Sequence, residues 1–81
     1  MTDFIANEIY TDGIGDIVAK CSRFIIKHPD SAYTAEIDRV RLVLAVAHRQ
    51  SRIYTDRAHR DAWDREIARA NDLLARAGET P

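Results

Sequence analysis

The stretch Tyr33-Thr34-Ala35-Glu36-Ile37-Asp38-Arg39-Val40-Arg41-Leu42-Val43-Leu44-Ala45-Val46-Ala47 decides the fold. Tyr33, Ile37, Val40, Leu44 and Ala47 recur at spacings of four, three, four and three. That is a heptad seam, and it predicts an amphipathic helix. Leu42, Val43, Ala45 and Val46 lie off the seam, so Leu42 to Ala47 is apolar almost all round. A helix of that kind is normally enclosed on more than one side. It is expected to be either the central helix of a bundle or half of a subunit interface, with Leu42, Val43 and Val46 as the interface residues.

Upstream, Ile14, Ile17, Val18, Cys21, Phe24 and Ile25 form a second helical stripe. Pro29 disfavours helical geometry at His28 and ends it, and Asp30 or Ser31 is placed to cap the next helix. Residues 3–10 read as a short separate helix. Phe4, Ile5 and Ile9 fall off the following stripe, and Thr11-Asp12-Gly13-Ile14-Gly15-Asp16 has the composition of a turn.

Downstream, Trp63, Ile67, Ala70, Leu74 and Ala77 make the last stripe, with Leu73 beside it. Its centre is turned by roughly 100° from the earlier seam, at 3.6 residues per turn. The slip predicts a break near Tyr54-Thr55-Asp56, where Thr55 or Asp56 is able to cap. No Gly or Pro enforces that break, so one long bent helix over 32–77 is the alternative. Gly78 suits a helix C-terminus, and residues 79–81 read as a frayed tail. The expectation is one all-α domain over residues 1–81: a short N-terminal helix, then helices near 14–28, 31–53 and 56–77. Its core residues are expected to be Ile14, Ile17, Val18, Cys21, Phe24, Ile25, Ile37, Val40, Leu44, Trp63, Ile67 and Leu74.

Composition narrows the function classes. The 81 residues carry a formal net charge of −1 from 12 basic and 13 acidic side chains. That balance gives no global drive toward nucleic acid or an anionic membrane. No apolar run is long enough to span a bilayer, and no secretory signal precedes the first helix. With Cys21 as the one cysteine, no disulfide forms within a chain, and a reducing cytoplasm is the expected compartment. A domain this small often gains support from self-association, so a homo-oligomer is expected, a dimer first.

Candidate chemistry is sparse. Gly13-Ile14-Gly15 lacks the strand, third glycine and Lys of a phosphate loop. Cys21 and His28 share a helix face but stand roughly 10 Å apart at 1.5 Å per residue, beyond hydrogen-bond reach. The acids of the last helix fall into i,i+4 pairs with Arg (Asp56–Arg60, Asp61–Arg65, Asp72–Arg76), which reads as a solvated, ion-paired face. His48, Asp56 and His59 lack metal-site spacing among surrounding arginines. No catalytic residue, cofactor or metal is therefore expected.

The one departure from charge balance is residues 48–60, where His48, Arg49, Arg52, Arg57, His59 and Arg60 face a single acid, Asp56. On a continuous helix, His48, Arg49, Arg52, His59 and Arg60 share one side. Together with Arg57 and Tyr54, an aromatic of the interface hot-spot type, they form the expected partner-binding surface. The leading expectation is a non-enzymatic interaction protein that occupies a macromolecular protein partner. Stand-alone reading frames of this size are common among phage and mobile-element products, so a host-directed inhibitor of the anti-CRISPR kind falls within this class. The alternative is a small nucleic-acid-binding regulator using the Arg-rich segment, disfavoured by the net negative charge and by the lack of a helix-turn-helix signature.

Overall fold

Three helices follow one another in the computed structural model, which describes the backbone of residues 2–78 and the side chains of residues 7–78. They are α1 (Thr2–Lys27), α2 (Thr34–Gln50) and α3 (Arg57–Gly78), and no strand occurs among the described residues. The frayed tail expected at 79–81 lies outside them. Helices α1 and α2 form the more extensively packed pair, and α3 lies against both.

The separate N-terminal helix is corrected: α1 runs unbroken through Gly13 and Gly15, neither of which has a positive φ. A mid-helix glycine costs about 1 kcal/mol relative to alanine. Burial of Ile14 and Cys21, both at 0% exposure, returns about 1.5–3 kcal/mol for a large aliphatic side chain and less for a thiol. The phase change that suggested a bend has another cause. Ile9 is 67% exposed, so it points away from the bundle on a continuous helix. Gly15 meets a packing need, because a Cβ there would stand 3.0 Å from the His48 ring, whereas one on Gly13 would meet open space. Gly13→Ala is therefore expected to raise stability by about 1 kcal/mol. Gly15→Ala is expected to gain clearly less, because it displaces His48. Urea unfolding of the two variants checks the difference.

Helix α1 ends as its proline requires, with His28 N–H closing the last turn on the Phe24 carbonyl at 2.8 Å. Helix α2 starts at Thr34 rather than residue 31, and its N-cap position, Tyr33, makes no side-chain cap. Ser31 instead accepts the Tyr33 N–H at 3.2 Å, and the Thr34 hydroxyl donates to the His28 carbonyl at 2.6 Å. These bonds tie the hairpin turn to itself.

The single bent helix is also excluded: α2 stops at Gln50, three residues short of the expected end, and α3 opens at Arg57. Two polar side chains do the work that Gly or Pro would do. Ser51, fully buried, donates to the His48 carbonyl at 3.1 Å and shares a 2.8 Å bond with buried Thr11 of α1. Asp56 then accepts the His59 N–H at 3.2 Å, the N-cap bond that starts α3.

The core contains Ile14, Cys21, Ile37, Val40, Leu44 and Trp63, all expected, together with Ala47, Ala70, Leu73 and Ala77. Ile17, Val18, Phe24, Ile25, Ile67 and Leu74 pack against it half-buried. Leu42 to Ala47 is not enclosed all round within the chain. Leu44 and Ala47 are buried, but Leu42, Val43 and Val46 are 54%, 42% and 42% exposed.

Candidate functional site

The seven residues expected to form one basic surface do not lie on one continuous helix, the condition on which their grouping by helical spacing rested. His48 and Arg49 end α2, Arg52 and Tyr54 lie in the 51–56 connection, and Arg57, His59 and Arg60 open α3.

Arg60 has turned inward. Its guanidinium lies 4.7 Å from the Tyr10 ring centre, and its Nη2 donates to Asn7 Oδ1 at 2.8 Å. The Tyr10 hydroxyl in turn donates to Asp64 at 2.8 Å and lies 3.4 Å from the Arg60 carbonyl. Burial, and then the bond to Asp64, raise the Tyr10 pKa, so the phenol keeps its proton. Arg60 is thus a tie between α3 and α1 and not a free cation. Its Nε is buried with no partner among the described residues.

His59 is held on three sides. Its Nδ1 lies 2.6 Å from Asp56 Oδ1, its ring stacks on Tyr54 with centres 4.6 Å apart, and Trp63 tilts against it at 5.4 Å. The Asp56 carboxyl lies below the ordinary carboxylate range because the His59 N–H, and then its ring, stabilise the anion. This is a helix start braced by aromatic rings. His48 is half-buried, with its ring against Gly15.

Arg49, Arg52 and Arg57 remain exposed, without an ion pair among the described residues. Arg52 borders a cleft with Glu8 and Asp12 of α1, so acids stand close to it. Of the i,i+4 pairs read from the sequence, Asp72–Arg76 forms at 3.0 Å. Asp56 is committed to His59 and Asp64 to Tyr10, which is why Arg60 pairs with neither. Among the described residues no group of three or more His, Cys, Asp or Glu side chains is placed to hold a metal. Cys21 is buried and its thiol pKa is pushed up by that burial.

What the fold does assemble lies on α2. Ala35, Arg39, Leu42, Val46 and Arg49 recur at spacings of four, three, four and three. They run along the side of α2 opposite Ile37, Val40, Leu44 and Ala47, and all five are exposed. Val43 borders the stripe. The apolar residues read as a subunit interface and one arginine of the partner surface, Arg49, therefore share one face. On its α1 side, this face borders a cleft of about 490 Å³ lined by Gly15, Val18, Ala19, Ala45, His48 and Arg49. No helix among the described residues is long and apolar enough to cross a membrane. No protein-family model, curated protein or solved structure matches the chain.

Proposed function

We propose that this protein is a non-enzymatic interaction module that acts by covering part of a protein partner, with the outward face of α2 as its contact surface. The observation that carries this reading is the adjacency of Leu42, Val43 and Val46, exposed side by side on a helix whose opposite side is buried. The comparable line of α3 is polar: Asp61, Arg65, Ala68 and Asp72, all exposed. On α1 the outward line runs Ile9, Asp12, Asp16, Ala19, Arg23 and Ile26, and its two exposed isoleucines stand at opposite ends with Asp12, Asp16 and Arg23 between them, so they form no contiguous patch. Scattered apolar side chains on a surface are ordinary, but contiguous ones mark interaction sites. An inhibitor that blocks a host factor, of the anti-CRISPR kind, is one member of this class.

Self-association into a dimer is the second reading, favoured by the same exposed residues. Binding of nucleic acid through residues 48–60 has less support. Arg60 and His59 are committed inside the chain, and Glu8 and Asp12 adjoin Arg52.

The test is the pair of variants Leu42→Asp and Val46→Asp. Both positions are exposed, so thermal unfolding is expected to stay within about 0.5 kcal/mol of the parent protein. Capture of the partner from lysate of the source cell, or dimerisation followed by light scattering, is expected to be lost. Unchanged capture and unchanged mass with both variants would remove α2 from the proposal.

A further inference from the structure

The charge on the α2 face bears on what covers it. Only two side chains along the outward stripe are charged, and both are arginines. Arg39 stands one turn before Leu42, and Arg49 one turn after Val46. Neither has an ion pair or hydrogen bond among the described residues. The acids nearest in sequence are committed elsewhere. Asp38 holds Arg41 through two hydrogen bonds at 3.0 and 2.8 Å, and Glu36 reaches across to Arg69 of α3 at 3.4 Å. The face is thus an apolar centre with an unpaired positive charge at each end, about 15 Å apart at 1.5 Å per residue.

Resting on the interaction role proposed above, we infer that this face takes an amphipathic helix of another protein. That helix has aliphatic residues at its centre and Asp or Glu on both sides, about ten residues apart. The apolar centre gains by excluding water, and the flanking acids give both arginines partners suited to bidentate pairing. A second copy of this chain fits less well. Antiparallel pairing centred on Leu44 places Arg39 of one protomer against Arg49 of the other. Parallel pairing in register places each arginine against its own copy. Both arrangements bring like charges together across the contact, which disfavours association. A nucleic-acid backbone also fits less well, because its phosphates would satisfy the arginines but leave Leu42 and Val46 without an apolar surface to cover.

Two Ala-rich helical peptides test this by fluorescence anisotropy. One carries a central pair of leucines flanked by glutamates about ten residues apart, a spacing set by the helical rise. The other is identical except for lysines in place of the glutamates. The acidic peptide is expected to bind about tenfold or more tightly than the basic one, and the advantage is expected to shrink as salt screens the pairs. The double variant Arg39→Glu/Arg49→Glu is expected to reverse the preference, and Leu42→Asp to abolish binding of both peptides. Circular dichroism confirms that these surface variants stay folded.

Equal binding of both peptides, lost with Leu42→Asp, would overturn the acidic selection while leaving α2 as the contact face. A dimer in light scattering that Leu42→Asp dissociates, with no peptide bound, would make the occupant a second copy. Tight binding of random duplex DNA at low salt, lost in the Arg39→Glu/Arg49→Glu variant, would make it a phosphate backbone. No binding of either peptide, together with a Leu42→Asp variant that behaves as the parent, would overturn the face and the inference together.

Discussion

Replacing Trp63 with alanine is expected to remove about 3–5 kcal/mol of stability, the usual cost of truncating a buried tryptophan. The other buried positions of α3 are Ala70, Leu73 and Ala77, so Trp63 supplies much of the volume by which this helix is anchored. Its ring also backs His59, which lies between it and Tyr54. A domain of this length holds a total of about 4–12 kcal/mol, at 0.05–0.15 kcal/mol per residue. One side chain therefore carries a large share. Urea unfolding followed by circular dichroism is expected to show a midpoint lowered by at least about 1 M, given slopes of about 1–3 kcal/mol per molar. A smaller shift would mean that α3 is held chiefly by its half-buried residues Ile67 and Leu74 and by the Arg60 and Tyr10 contacts.

The second large effect is expected at Ser51. Its hydroxyl proton goes to the His48 carbonyl, so the 2.8 Å bond to Thr11 is donated by the Thr11 hydroxyl. The result is a relay from Thr11 through Ser51 to the last turn of α2. Ser51→Ala removes the middle of that relay and strands the buried Thr11 donor and the part-buried His48 carbonyl, at an expected cost of about 1–3 kcal/mol. Thr11→Val removes only the first donor and leaves Ser51 satisfied, so its cost is expected to be clearly smaller. In the double variant the Thr11 donor is gone as well, and the two effects are expected to be non-additive. Strict additivity in a double-mutant cycle would show that the two hydroxyls contribute separately.

Much of the bundle was legible in the chain. The stripes through Ile14 to Ile25, Tyr33 to Ala47 and Trp63 to Ala77 each became a helix, because periodic apolar residues have a single way to share one buried side. Pro29 ended α1 for a local steric reason, and Asp56 capped α3 through a bond to a residue three positions on. The glycines misled. Gly13 and Gly15 have turn composition, yet propensity costs about 1 kcal/mol at each, and burial of the neighbouring residues outweighs it. The helix break after Gln50 was expected slightly late, since it depends on Ser51 meeting Thr11 across 40 positions of chain.

The candidate site divides along the same line. That Arg39, Leu42, Val46 and Arg49 share one side of a helix follows from spacing alone. Whether that side is buried was a different matter. The all-round apolar segment left two readings open, a central helix or a subunit interface at Leu42, Val43 and Val46, and only the placement of α1 and α3 on the opposite side left these three exposed within the chain. Arg60 shows the reverse. Its spacing suggested a surface partnership with Asp56, while Tyr10 and Asn7, brought from the far end of α1, drew it inward.

The sequence by itself therefore determined the three apolar stripes, the stop at Pro29 and the start at Asp56, since periodicity and capping act within a few residues of each other. Only the tertiary structure decided which apolar side stays open and which arginines remain unpaired, because both depend on contacts between residues tens of positions apart.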